Sequence, residues 1–177
     1  AVLTLKGDYW AQLHHSSRKT LKKKLKQASS LRVEELDSIT LVQAEQLYAL
    51  YMNTYKRAAT KFECLNVDYF LKTAPVSKYA LYYEGEHLVA FVQLSKKKPR
   101  LCARYGGIDY VRGKHYGVYF VLALKAIEIA QRDGFEQVDL GASSYAYKRL
   151  LGCEMVETWN YYRHSNPIAH WILGKAK

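Results

Sequence analysis

The stretch from Arg100 to Gly152 constrains this chain more than any other. It runs RLCARYGGIDY, VRGKHYG, VYFVLALKAIEIAQRDG, FEQVDLGAS and SYAYKRLLG in succession. The first part reads as a strand entering a basic, Gly-bearing turn. A long apolar pattern at helical spacing follows and stops at Gly134. A second strand and a short helix carrying Tyr147 and Lys148 complete the unit. Such a βαβα unit sets a helix N-terminus beside the C-terminal edges of two strands, which is where α/β proteins hold anionic ligands.

The rest of the chain reads as the other half of that cleft. Asp8 caps a helix predicted over about 8–29, whose apolar stripe is Trp10, Leu13, Ser17, Leu21, Leu25 and Ala28. Leu31–Leu36 reads as a short strand. Thr40 and Gln43 form a capping box that opens a second helix, with Leu41, Ala44, Leu47, Tyr48, Tyr51 and Tyr55 on one face. Asn66 caps a short helix closed by Pro75. Tyr79–Tyr83 and His87–Leu94 form a hairpin around Glu84, Gly85 and Glu86, and a turn at the lysine run and Pro99 leads into a third antiparallel strand, Leu101–Asp109. Glu154–Arg163 is a further strand candidate, and Trp171 with Ile172 packs the tail onto the sheet. Helices, then a meander, then βαβ predict an α+β fold on a mixed, mostly antiparallel sheet. With no repeat and no linker, residues 1–177 read as one domain.

At 177 residues the chain is long enough to bury about 70% of its unfolded surface without a metal or disulfide. The net charge of +11 is concentrated: residues 1–30 hold seven Lys and Arg against Asp8 alone. One reading of that basic helix is a solvated face. The other is a seat for a polyanion such as tRNA, a nucleotide-linked precursor or an anionic membrane surface. Membrane insertion is the weakest of these, because the apolar stripe is narrow and has Ser17 at its centre. A second basic cluster, Lys96, Lys97, Lys98, Arg100 and Arg104, surrounds a turn and the strand after it.

Cys64, Cys102 and Cys153 are scattered and odd in number, which argues against a disulfide scaffold and for a cytoplasmic setting. His14, His15, His87, His115, His164 and His170 have no partners at metal-ligand spacing, so no metal is expected. No membrane span or signal peptide is predicted. The chain opens on Ala1, as a piece of a longer protein would. Its sixteen tyrosines either line a pocket or fill the core with their hydroxyls at water or backbone partners.

The turn between the strand and the long helix comprises Tyr110, Val111, Arg112, Gly113, Lys114, His115, Tyr116 and Gly117. Glycines let backbone approach a ligand, the helix N-terminus offers free N–H groups, and Arg112 and Lys114 add positive charge. Phosphate or pyrophosphate is the expected guest, and an ordinary strand-to-helix connection is the alternative.

The order of elements, together with SSRKTLKKKLKQ in the first helix and DLGASSYAYKRLLG near the end, resembles the GNAT acyltransferase superfamily, in particular its FemAB-like branch. The resemblance implies a GNAT fold and direct transfer of an acyl group to an amine acceptor. The donor it implies is acyl-CoA or an acyl-carrier protein, with aminoacyl-tRNA as the alternative; a tRNA or carrier protein would meet the basic helix. The reading from a different class is a non-catalytic module that binds tRNA or another polyanion. In the superfamily's phosphate loop, Gln or Arg is followed by two residues, Gly, one residue, and Gly or Ala. Here Arg112–Gly117 carries glycines at the second and sixth positions, so phosphate is implied without specifying acetyl-CoA.

The resemblance also implies roles. A backbone N–H between Gly107 and Tyr110 steadies the carbonyl oxygen. Asp109, Asp139 or a relayed water takes the amine proton, and turn capping is the other reading of Asp109. Tyr147 protonates the leaving group, with Tyr145 and Tyr116 competing. Asp139, Tyr145 and Lys148 lie on the substrate side, where Lys148, with Arg149, faces phosphate, unless Lys148 is a solvated helix lysine.

Overall fold

The computed structural model describes residues 1–59, 61, 63–142, 144–157, 159, 165, 166 and 171. Its elements are β1 (Val2–Thr4), α1 (Tyr9–Gln12), α2 (His15–Gln27), β2 (Arg32–Leu36), α3 (Leu41–Arg57), α4 (Val67–Thr73), β3 (Ser77–Glu84), β4 (His87–Lys97), β5 (Arg100–Ile108), α5 (Val118–Arg132), β6 (Gln137–Asp139) and α6 (Tyr145–Leu150). The strands form one sheet in the order β1-β6-β5-β4-β3-β2. Among the described residues only β5 and β6 pair in parallel, and α5 makes the crossover between them.

Strand alternation builds two cores, one on each side of this sheet. Ala80 and Tyr82 of β3, with Ala90, Val92 and Leu94 of β4, meet α5 and α2. Tyr79, Leu81, Tyr83 and Phe91 point the other way, against α3 and α4. The local signals behind the helices are present: Thr40 and Gln43 cap α3 reciprocally, Asn66 accepts from the Tyr69 N–H to start α4, and Gly134 takes the left-handed conformation (φ 70°) past the end of α5.

Three sequence expectations change. The helix expected over about 8–29 is two helices, with Leu13 and His14 extended between them. Asp8 does cap α1, but His14 restarts the helix by accepting from the Ser16 N–H. The break reconciles two packing demands that one straight stripe cannot meet. Tyr9 turns under the sheet edge and donates to the Leu151 carbonyl at 3.2 Å, while Leu21 is sealed against α5. Second, β1 forms from only Val2–Thr4 and pairs antiparallel with β6, which is too short a run to show periodicity. Third, of the strand expected over Glu154–Arg163, Glu154 makes a single bridge to Val2 and Met155–Glu157 are not strand. The remainder lies mostly outside the described residues, as does Ile172.

Candidate active site

A gap in the sheet organises the site. β5 and β6 are in register only at Arg100–Gln137, Leu101–Val138 and Cys102–Asp139. β5 continues to Ile108, whereas β6 ends at Asp139, where the chain turns through Gly141 (φ 74°). Asp139 stabilises that turn by accepting from the Gly141 N–H at 2.8 Å. Beyond Cys102, the β6-facing edge of β5 is therefore open. Within β5 a bulge adds to the divergence: Gln93 opposes Tyr105 and Leu94 opposes Ala103, leaving Arg104 as the extra residue.

The open edge borders a cavity of about 270 Å³. Ala103, Arg104, Tyr105, Gly106, Ile108 and Tyr110 form one wall, Leu140, Ala142, Tyr147 and Lys148 the other, and Tyr119, Leu122 and Ala123 of α5 the floor. Thr54 of α3 also reaches it. Because its lining draws on both α5 and α3, the cavity passes through the sheet from one layer to the other. Antiparallel hydrogen bonding alternates along β5, and the Asp109 N–H donates to the Val89 carbonyl at 2.8 Å. By period two, the N–H groups of Ile108 and Gly106 point away from β4, into the opening.

A second cavity of about 400 Å³ shares Ile108, Tyr110 and Tyr119 with the first and is closed by Arg57, Gly113, Lys114, Gly117, Val118 and Phe120. Gly117 is the N-cap of α5 in the left-handed conformation (φ 59°), and no side chain caps this end. The first N–H groups of α5 are left for a guest, and Arg57 and Lys114 supply cations beside them. Lys24 of α2 crosses the same mouth: its Nζ lies 5.6 Å from the Phe120 ring centroid, and its Cδ would be 3.0 Å from a Cβ at Gly117. The basic helix is thus continuous with the turn at Gly117 rather than a separate platform.

The predicted residues divide. Gly113, Lys114, Gly117, Tyr110 and Tyr147 line the cavities. Val111 faces solvent at 84% exposure, His115 is exposed, and Tyr145 is half exposed at the start of α6. Arg112 and Tyr116 are drawn away from the cleft by Glu84, Arg112 Nη1 at 3.1 Å and the Tyr116 hydroxyl at 2.5 Å. These two contacts, Tyr116 first, hold the Glu84 carboxyl below its ordinary range. Asp109 uses Oδ1 to accept from the N–H groups of Val111 and Arg112, so it shapes the turn; Asp139 does the same for Gly141.

Lys148 is neither a solvated lysine nor directed at an open anion site. It is 2% exposed, and its ammonium donates to the carbonyls of Gly141 at 3.0 Å and Ala142 at 2.8 Å. It holds the loop after β6 in place as one wall of the cleft. Burial pushes its pKa below the ordinary lysine value.

Tyr147 packs its ring 4.4 Å from that of Tyr119 and edge-on to Phe120 at 5.7 Å. Burial first, and then the neighbouring Tyr119 phenol, raise its pKa well above the ordinary tyrosine value. Its hydroxyl therefore keeps its proton at neutral pH.

Arg57, Thr54 and Tyr119 line the cavities without having been singled out as site residues. Arg57 ends α3, one of the basic residues of its last turn, and its guanidinium lies 4.4 Å from the Tyr110 ring centroid. The capping box that starts α3 and the count of its turns would have located that end; nothing local points Thr54 or Tyr119 at the cleft. Among the described residues no three His, Cys, Asp or Glu side chains converge as a metal site, and no helix is long and apolar enough to cross a membrane.

A mixed sheet opened between its one parallel strand pair, with an uncapped helix N-terminus at the mouth, defines an acyltransferase of the GNAT fold. The family follows from the sequence: residues 15–149 match the profile of the acetyltransferase (GNAT) domain, and the chain belongs to that family. No curated protein matches the chain. Several solved structures share the fold. FemX aligns at a TM-score of 0.61 and 11% identity, over 85% of this chain and 57% of that one. Aminoglycoside N-acetyltransferase AAC(6')-Iy in complex with CoA aligns at 0.56 and 13%, over 77% and 95%. The C-terminal domain of a putative lysylphosphatidylglycerol synthetase from Agrobacterium fabrum aligns at 0.54 and 17%, over 86% and 49%. The chain thus spans about half the length of the FemX and synthetase chains.

Proposed function

We propose that the chain is a single acyltransferase unit that moves an acyl group from an acyl-CoA-type thioester to an amine by direct attack. The observation that carries this reading is the cleft itself, which runs from the cationic N-terminus of α5 through the open edge of β5. A phosphate-bearing donor would anchor on the first turn of α5, Lys114, Arg57 and Lys24. Its acyl arm would thread between β5 and β6, where the N–H of Ile108 or Gly106 can bond the carbonyl oxygen as charge develops. The amine forms the C–N bond, the C–S bond breaks, and the Tyr147 hydroxyl gives its proton to the departing thiolate. Tyr147 is protonated at neutral pH and so has a proton to give, while burial, which raises its pKa, makes it a weaker acid than a free phenol.

The CoA complex of the structurally similar AAC(6')-Iy supports a CoA-type donor. A second reading, aminoacyl-tRNA as donor, draws support from the continuity of α2 with the anion turn and from the likeness to FemX. It would place the chain in the FemAB-like branch. The binding-only alternative differs in predicting no thiol release at all.

The test is a thermal-shift and calorimetric titration of the purified protein with CoA, acetyl-CoA and an aminoacyl-tRNA. Stabilisation by CoA that is lost in Arg57→Ala supports the thioester reading. Stabilisation by aminoacyl-tRNA alone would replace it with the second.

A further inference from the structure

Among the described residues, no Asp or Glu that could receive the acceptor's proton lines either cavity. On the other layer of the sheet, the cavity ends against Thr54, Arg104 and Tyr105. There the Tyr105 hydroxyl donates to the Glu63 carboxylate. Glu63 is exposed, and its backbone carbonyl is held by the Tyr51 hydroxyl. Tyr105 itself is fixed edge-on by Tyr51 at 5.8 Å and Tyr69 at 5.2 Å. Thr54 lines this end of the cavity, and its Oγ1 is buried without a hydrogen-bond partner among the described residues.

We propose that this end of the cavity is the amine-acceptor subsite, and that Tyr105 and Glu63 together are its proton outlet. The inference rests on the acyl-transfer reading above. A primary amine entering from the α3/α4 side passes Thr54 and meets the Tyr105 oxygen. As nitrogen bonds to the acyl carbon, one N–H proton passes to the Tyr105 oxygen while the Tyr105 proton passes to Glu63. Tyr147 supplies the separate proton taken by the thiolate and regains one from solvent before the next turnover, so each proton has a source and a destination. Glu63 then returns its proton to solvent, to which it is open. Tyr105 touches the substrate; Glu63 acts through Tyr105. The groups facing Glu63 are Tyr51 from α3, Tyr69 from α4, Tyr105 and Arg104 from β5, and the adjacent Cys64. Glu63 is the acidic member of that set, beside one cation, Arg104, and the phenols.

The experiment compares wild type, Glu63→Gln, Tyr105→Phe and the double variant, with acetyl-CoA as donor and ethanolamine, glucosamine and spermidine as probe amines. Each single variant should lower kcat about 100-fold with the KM for acetyl-CoA unchanged, and the double variant should lose no more than either single one. Variants within threefold of wild type, or losses that multiply in the double variant, overturn the proposal. Binding of the same amines by saturation-transfer NMR, with no donor present, tests the subsite independently of transfer. Signals expected in wild type should weaken in Glu63→Gln; unchanged signals, or none in wild type, also overturn it. Failure of the underlying donor reading shows separately, as the absence of any CoA-induced thermal shift.

Discussion

Gly107→Ala should be among the most damaging single-methyl changes in this protein. Gly107 lies in β5 under α3, and a Cβ built there would sit 2.5 Å from the Leu50 carbonyl carbon, 2.5 Å from Phe91 Cε1 and 2.6 Å from the Tyr51 nitrogen. Ordinary contact between such atoms is about 3.5–4.0 Å, so α3 must retreat by roughly 1 Å. Two of the obstacles are backbone atoms of a buried helical turn, and the third belongs to a fully buried ring, so no side-chain rotation relieves the clash. Overpacking of this kind costs about 3 kcal/mol, which for a chain of this size lowers Tm by roughly 6–12 °C. The same retreat moves Thr54 and Arg57, which α3 carries to the cavities. CoA affinity should therefore fall along with Tm. Gly106→Ala is the control: its Cβ would meet only the Phe91 carbonyl oxygen, at 3.0 Å, and Leu122 Cδ1 at 3.9 Å. Differential scanning calorimetry of both variants decides the matter. A Gly107→Ala protein that melts with or above Gly106→Ala would show that α3 does not press on β5 as described.

Four further outcomes follow from the geometry. Tyr147→Phe should reduce kcat about 100-fold or more while leaving Tm and CoA binding near wild type, as read by thiol release and calorimetry. Lys148→Met leaves the Gly141 and Ala142 carbonyls without their donor; a loss of about 1–3 kcal/mol in chemical denaturation and a weakened acyl-donor KM are expected. Lys24→Ala should raise the Kd of CoA several-fold and flatten its salt dependence, whereas Lys23→Ala, which no contact ties to the turn, should leave both unchanged. The Glu35 carboxyl is held below its ordinary pKa by its bonds to Arg132 (2.7 and 3.1 Å), against burial, with Lys125 (3.0 Å) assisting. Because the folded-state pKa is the lower one, its contribution is complete above the unfolded value near pH 4 and disappears as pH falls through the folded value. Glu35→Gln should remove this part of the acid-induced loss in a urea-melt pH series, on the order of 0.5–1 kcal/mol for so exposed a cluster.

The α+β class, the hairpin, the capping boxes and the strand-turn-helix around Gly117 are written in local sequence. Each depends on spacing or on a residue with restricted backbone or hydrogen-bonding behaviour. Thr40 with Gln43, Asn66 and Gly134 act within a few residues of themselves, and their effect survives whatever packs around them. The Gly-bearing turn before α5 was legible for the same reason, and Tyr147 was singled out through its resemblance to a known segment; both border the cavities. The roles within those segments were not. Whether Arg112 serves a ligand depends on Glu84, 28 residues away; whether Lys148 faces an anion depends on where the Gly141 and Ala142 carbonyls turn. The break at Leu13–His14 answers to Tyr9 meeting Leu151 across the whole chain.

By itself the sequence determined most of the helices, the hairpin and the strand-turn-helix around Gly117, because those are local matters of periodicity, capping and backbone freedom. Only the tertiary structure decided that β6 stops short of β5, that the resulting opening is lined from both layers of the sheet, and that Thr54 and Tyr105 border it while Arg57 closes the neighbouring cavity. Those facts depend on strand register and on contacts between distant segments, and neither leaves a mark within any single stretch of the chain.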